Sequence, residues 1–159
     1  MDFITPDLSD AHEATSRPCE TQFQQFGGRK RFAGAIRTVQ CRGDNLLIRQ
    51  MLEMPSAGEV LVVDGGGSLA AALVGDMLAE KGRRSGWSGV IIFGAVRDTP
   101  VLAGMDFGVK ALGTNPRRGT KLGAGATDVP VTFGGVTFTP GAWLYSDEDG
   151  ILVAPQALQ

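Results

Sequence analysis
The sequence predicts an α/β fold in a single domain, and three observations carry that prediction. Residues 59–64 and 89–96 are continuous apolar runs of strand length, the pattern of strands buried on both faces. They lie about 30 residues apart with a helical segment between them, which is the spacing of a β-α-β unit with parallel strands. Residues 128–138 then alternate apolar and polar side chains around Gly134-Gly135, the signature of an antiparallel hairpin. The expected architecture is a parallel β-α-β unit plus antiparallel strands, in one domain over residues 1–159.

Thr5 and Pro6, followed by acidic residues, read as a cap and first turn of a short helix. Gly27-Gly28 marks a turn, and Phe32 to Cys41 alternates as a strand. Gly43 to Asn45 form a turn and cap ahead of a helix over Leu46 to Met54, which Pro55 and Gly58 terminate. The strand Glu59 to Asp64 stops at Gly65, Gly66 and Gly67. A helix is predicted from Gly75 through Arg84, with strands over Gly89 to Val96 and Gly108 to Gly113. After the hairpin, Asp147 to Gly150 form a turn and Ile151 to Pro155 a last strand.

Of the 159 residues, 23 are glycine, about twice the average usage of roughly 7%. No Gly-X-Y period exists and 43% of residues are hydrophobic, so collagen and disorder are excluded and the glycines must serve turns or sites. The formal net charge of −2 argues against a general binder of nucleic-acid backbones. Cys19 and Cys41 have no CxxC spacing, which predicts reduced thiols and no cysteine metal site. His12, the sole histidine, sits in an acidic stretch, so histidine-dependent chemistry has little basis. With neither a secretory leader nor 18 consecutive apolar residues, a soluble cytoplasmic protein without a membrane partner is expected.

In open α/β units, ligands bind beyond the carboxyl ends of the parallel strands. Asp64, Gly65 to Gly67, Gly75, Asp76, Arg97 and Asp98 are therefore expected to converge on one site. The glycine run matches neither GxGxxG nor a P-loop, so a plain turn and a site are equal readings. Gly75-Asp76 interrupts the apolar run Leu69 to Val74. It lies within one long helix, or it restarts a helix whose N–H groups at Asp76, Met77 and Leu78 are free to hold a carboxylate. Arg97-Asp98 reads in two ways. One is a surface ion pair with a capping aspartate before Thr99-Pro100; the other is a substrate-binding cation beside a hard oxygen ligand for Mg²⁺ or Mn²⁺. Arg117, Arg118 and Lys121 make a basic loop, read first as solvated charge and second as a contact for substrate or partner.

The segments 26–39, 44–52, 60–79, 89–98, 108–117 and 128–153 occur in an order and spacing that resemble the RraA family from Phe26 to Val153. The resemblance implies a compact β/β/α domain of the swivelling-domain-like type, assembled as a ring-shaped homotrimer. It also implies one of two functions. The family contains regulators that bind ribonuclease E and inhibit RNA cleavage. It also contains metal-dependent, class II 4-hydroxy-4-methyl-2-oxoglutarate aldolases, which release pyruvate and decarboxylate oxaloacetate. A demethylmenaquinone methyltransferase label occurs in the family, but no methyl-donor motif is present here. The aldolase group is marked by Asp, twenty residues, then Arg-Asp, and Asp76, Met77 to Val96 and Arg97-Asp98 complete that pattern. By this resemblance the backbone of Gly75, Asp76, Met77 and Leu78 binds the carboxylate of a small 2-oxo acid, with the site glycines Gly65 to Gly67 and Gly75 around it. Arg97 binds substrate and stabilises charge, Asp98 ligates the divalent metal cation, and Asp76 positions a water or relays a proton. Longer aldolases have a C-terminal extension and an acidic residue soon after Arg-Asp, where Val101 stands here. The chain length is nearer the regulators, while the complete Asp76, Arg97 and Asp98 set favours catalysis.

Overall fold
The chain, described over residues 2–158 in a computed structural model, opens with α1 (Thr5–Ala11), where Pro6 occupies the first turn and removes no helical hydrogen bond. Two short segments, β1 (Arg17–Pro18) and β2 (Gln24–Gln25), precede β3 (Phe32–Gln40), whose first half alternates between buried and half-buried positions as its pattern requires. α2 (Leu46–Leu52) ends before Met54 because the residue ahead of Pro55 is biased away from helical torsions. β4 (Val60–Asp64) is buried throughout. The run before Gly75 is β5 (Ala72–Val74), and α3 (Asp76–Ser85) starts directly after it, so the restart reading of Gly75 holds.

β6 (Gly89–Val96) leads into α4 (Thr99–Ala103), a helix too short for any periodicity to announce. β7 (Gly108–Thr114) and the short β8 (Ala126–Thr127) follow. The predicted hairpin is β9 (Val131–Phe133) and β10 (Val136–Phe138), joined by Gly134 and Gly135 at φ 61° and 77°, torsions that favour glycine in a two-residue turn. β11 (Trp143–Asp147) and β12 (Gly150–Ala154) complete the chain; β11 escaped the sequence pattern because all but its first residue are buried, which erases alternation.

The parallel strands run β3-β4-β6-β7, as the β-α-β spacing requires. β3 joins two sheets. Residues 32–35 pair antiparallel with β11, whereas residues 36–40 pair in parallel with β4. The side chains on the two faces of the parallel sheet meet different layers. Leu61, Val63, Val90 and Ile92 face a core built with Ile48, Leu52, Ala79 and Leu102 of the helices. Val60, Val62 and Ile91 face a core with Phe133, Phe138, Leu144 and Ile151 of the antiparallel strands. The result is the mixed α/β domain with an antiparallel layer that the sequence predicts. Cys19 and Cys41 are free and buried, and no helix among the described residues is long and apolar enough to cross a membrane.

One buried charge ties the layers together. Lys110 on β7 is 3% exposed, and its Nζ donates to the Asp147 carbonyl at 2.6 Å and the Gly150 carbonyl at 3.2 Å. Asp147 in turn accepts from both the backbone N–H and the hydroxyl of Thr5 at 2.7 Å, which anchors α1. Burial pushes the Lys110 ammonium down to about 8 from its ordinary 10.5, against the pull of Asp147. Between those values the unfolded chain binds more protons than the folded one, so stability rises with pH across the window. Denaturant midpoints should therefore climb between pH 8 and 9; above 9 the buried Cys41 thiol, pushed up to about 11, works against the rise, and Lys110→Met should remove the Lys110 part of the slope.

Candidate functional site
β5 and β6 run in parallel with Val74 opposite Val96, so Gly75 and Arg97 leave the sheet side by side. The Arg97 N–H donates to the Val74 carbonyl at 3.0 Å, which locks the two exits together. Gly75 caps α3 with φ −130°, a torsion any residue adopts. Its glycine is required by space instead: a Cβ there would lie 2.5 Å from Asp98 Oδ2 and 3.3 Å from Arg97 Cγ.

Asp98 holds φ 61° and ψ 38°, a left-handed conformation that Asp tolerates better than most residues and that clusters at functional sites. Its carbonyl accepts the N–H groups of Val101 and Leu102, each at 3.0 Å, to start α4. The side chain does not cap that helix. Asp98 Oδ2 accepts the N–H of Asp76 at 3.1 Å and lies 4.0 Å from Arg97 Nε, so this carboxylate caps the neighbouring α3. Asp98 Oδ1 has no hydrogen-bond or ion-pair partner among the described residues.

At the start of α3, Ala79 is the first residue whose N–H finds the turn's own acceptor, the Gly75 carbonyl at 3.1 Å. The expectation of three free N–H groups needs one correction, since Asp98 already engages that of Asp76. The N–H groups of Met77 and Leu78 remain, at the positive end of a ten-residue helix. They open onto a cleft of about 180 Å³, smaller than a typical drug-sized pocket and scaled to a small ligand. Its lining comprises Asn45 and Arg49, residues 72–78, Lys81, Arg97, Asp98, Arg118 and Lys121.

Gly75, Asp76, Met77, Leu78, Arg97 and Asp98 thus converge as predicted, but Asp64 and Gly65 to Gly67 do not line the cleft. The physical reason is sheet register. β4 stops opposite Phe93, and beyond that point β5 takes its place beside β6. The glycine run is the turn reading: Gly66 N–H donates to Asp64 Oδ1 at 2.9 Å, with Gly66 and Gly67 at φ 71° and 74°. The basic loop divides. Arg118 and Lys121 border the cleft and, like Arg117 outside it, are solvent-exposed, in keeping with their reading as solvated charge.

That loop is fixed from below by a residue the sequence did not single out for function. Asp44, 2% exposed, accepts from Thr120 Oγ1 at 2.7 Å, Leu122 N at 2.6 Å, Gly123 N at 3.0 Å and Leu46 N at 3.1 Å. Burial works to raise its pKa, but these four hydrogen bonds outweigh it and the carboxyl titrates below its usual 3.8. Its contribution to stability is full above that value and is lost as pH falls through the lowered one. Asp44→Ala should cost at least about 2 kcal/mol in chemical denaturation, because buried donors lose their acceptor. It should also weaken ligand binding through the loosened 120–123 loop.

Asn45, Arg49 and Lys81 were missed. Lys81 was legible, since it lies four residues after Met77 on the same helical face. Asn45 and Arg49 reach the cleft through the long-range tie between Asp44 and residues 120–123, for which the sequence carries no local signal.

Fold and site together define a small α/β protein with a cation-rich cleft at a helix N-terminus, a class suited to binding carboxylates. The chain belongs to the RraA-like family, whose Aldolase/RraA model matches residues 5–153. It is 51% identical over 158 residues to a protein of Ectopseudomonas mendocina (strain ymp) named "Putative 4-hydroxy-4-methyl-2-oxoglutarate aldolase", covering 99% of this chain and 98% of that one. The match supports the aldolase reading at family level. Among solved structures, the RNA-processing inhibitor RraA from Thermus thermophilis superposes with a TM-score of 0.96 at 45% identity, covering 100% of this chain and 96% of that one. A structure from Geobacillus kaustophilus HTA426 titled S-adenosylmethionine: 2-dimethylmenaquinone methyltransferase has a TM-score of 0.97 at 46% identity, over 98% and 97% of the two chains.

Proposed function
We propose that this chain is a divalent-metal-dependent lyase that cleaves 4-hydroxy-4-methyl-2-oxoglutarate to pyruvate and decarboxylates oxaloacetate. One observation carries the reading: two free helix N–H groups, the Arg97 guanidinium and the Asp98 carboxylate with an unpartnered oxygen line a single small cleft. The backbone at Gly75, Asp76, Met77 and Leu78 seats the 1-carboxylate of the 2-oxo acid. Met77 and Leu78 donate to it, while the Asp76 N–H holds Asp98 in place.

The donor set fits a metal of one kind. Among the described residues no group of three or more His, Cys, Asp or Glu side chains forms a closed metal site. One carboxylate with a free oxygen suits Mg²⁺ or Mn²⁺, ions that keep water and take substrate oxygens as their remaining ligands. Asp98 would hold that ion, which when bound supplies Lewis-acid polarisation of the 2-oxo group and stabilises the enolate charge. Arg97, whose Nη1 donates to the Pro116 carbonyl at 3.4 Å, steadies negative charge on the departing oxygen. Asp76 lines the cleft with its carboxylate unpaired among the described residues, and relays the proton of the 4-hydroxyl in aldol cleavage. Decarboxylation needs no such base, because the departing group is carbon dioxide.

Pyruvate release from oxaloacetate should be stimulated by protein with Mg²⁺ and fall to the metal-free rate with a chelator. Equal rates with and without protein at the same Mg²⁺ concentration would remove this reading. The likeness to an RNA-processing inhibitor at 45% identity supports a second reading, a regulator of RNA cleavage that would act by binding ribonuclease E. Co-purification with the ribonuclease and inhibition of its cleavage would support that role, and no binding at micromolar concentration would count against it.

A further inference from the structure
Both proposed reactions pass through the enolate of pyruvate, which becomes pyruvate only when a proton reaches C3. In aldol cleavage Asp76 takes a proton from the 4-hydroxyl. Oxaloacetate has no such hydroxyl, so its decarboxylation needs a donor that arrives with a proton of its own. The cations that line the cleft are Arg49, Lys81, Arg97, Arg118 and Lys121. A guanidinium does not release its proton in proteins, which sets the three arginines aside. Of the two lysines, Lys121 is exposed on its loop, whereas Lys81 is half-buried.

Lys81 also stands on α3, the helix whose Met77 and Leu78 N–H groups seat the substrate carboxylate. Gly82 fixes how that helix lies. A Cβ there would come 3.0 Å from Leu52 Cδ2 and 3.0 Å from Phe107 Cζ, so α3 packs closely on the core along Ala79 and Gly82. Leu78 and Lys81 are neighbours, three residues apart, on the face that this packing leaves to the cleft. Helical side chains lean toward the N-terminus, which carries the Lys81 chain back over the carboxylate seat. The adjacent Glu80 is taken up by Arg83 Nε at 2.9 Å and Arg84 Nε at 3.0 Å, and Lys81 has no hydrogen bond or ion pair among the described residues. In a cleft of about 180 Å³ an amine on the wall lies against a ligand the size of pyruvate.

We propose that Lys81 is the acid that protonates C3 of the enolate, and so a catalytic residue of both reactions. This deepens the lyase reading and rests on it. The C3–H bond forms from the π electrons of the enolate, the Nζ–H bond breaks and leaves its pair on nitrogen, and the enolate oxygen returns to a keto group. Lys81 then takes its next proton from solvent. In aldol cleavage Asp76 returns the hydroxyl proton there, so no proton is gained or lost overall; decarboxylation consumes one proton for each carbon dioxide released. In the reverse direction the same nitrogen removes a methyl proton from pyruvate. Breakage of the C3–C4 bond precedes protonation, so loss of Lys81 harms consumption of substrate far less than proton transfer at C3.

The test follows exchange of the pyruvate methyl protons in D₂O by NMR with the Mg²⁺-loaded full chain, beside consumption of oxaloacetate by the same preparation. The native protein should exchange them for deuterium. Lys81→Met and Lys81→Arg should each lose about 10²-fold or more in exchange, while oxaloacetate consumption falls by less than about tenfold. The Arg variant keeps the charge without a transferable proton, so it separates proton transfer from attraction of the substrate. Lys121→Met should lose no more than a few-fold in exchange. Tryptophan fluorescence under denaturant checks that each variant is folded. Exchange at the native rate in either Lys81 variant, equal loss of exchange and consumption in both, or an equal loss of exchange in Lys121→Met would overturn the role of Lys81 and leave the lyase reading standing. So would a native protein that consumes oxaloacetate without exchanging pyruvate. If the native protein does neither, the lyase reading falls and the role of Lys81 falls with it.

Discussion

Asp98→Asn should abolish metal-stimulated pyruvate release while leaving the fold intact. Asn tolerates the left-handed torsions, φ 61° and ψ 38°, that Asp98 adopts, so the backbone cost of the substitution is small. Its amide oxygen still accepts the Asp76 N–H that Asp98 Oδ2 now binds at 3.1 Å, so α3 keeps its cap. What disappears is the negative charge, and with it the ligand for a hard cation. A loss of about 10² to 10³ in kcat is expected, with unfolding free energy within about 0.5 kcal/mol of the native value. Asp98→Ala is the less clean variant, because it strips the cap from α3 and places Ala in a left-handed conformation. Tryptophan fluorescence under denaturant together with the pyruvate assay separates the two effects. An Asn variant that keeps native activity would show that this carboxylate is not the metal ligand.

Gly75→Val has the second largest expected effect, for a different reason. The backbone at φ −130° accepts valine, so no torsional strain arises. The added Cβ, however, would begin 2.5 Å from Asp98 Oδ2, which forces that carboxylate to shift, and 3.3 Å from Arg97 Cγ, a tight contact that Arg97 must relieve by a smaller movement. Asp98 and Arg97 must move away from the start of α3, and a displacement near 1 Å costs about 10²-fold in rate. Crowding of this kind destabilises by roughly 1 to 3 kcal/mol. Gly75→Ala places the same Cβ with less bulk behind it, so the activity loss should be graded from Ala to Val. Unchanged activity in both variants would mean that Asp98 and Arg97 need not sit where they do.

Much of this site was legible because its geometry is local to strand ends. Apolar runs predicted β4 and β6 and their spacing predicted parallel pairing, while β5, pairing with β6 beyond the end of β4, sets Arg97-Asp98 beside the start of α3. The glycine excess resolved by contact: Gly75 is a site glycine because Asp98 occupies the space of its side chain, whereas Gly65 to Gly67 form a turn. That distinction was invisible in the sequence, because it depends on β5 replacing β4 as the neighbour of β6. Short β5 and α4 fall below the length at which periodicity speaks, and β11 is buried on nearly every residue. The two cations from the basic loop and the pair Asn45 and Arg49 reach the cleft through Asp44, whose contacts span some 76 to 79 positions of sequence.

The most direct measurement is the yield of pyruvate from 4-hydroxy-4-methyl-2-oxoglutarate with the purified full chain and Mg²⁺. Two pyruvates should form for each substrate consumed, and the reaction should stop with a chelator or with Asp98→Asn. Consumption no faster than with Mg²⁺ alone, under conditions where the chain is folded, would contradict the lyase assignment.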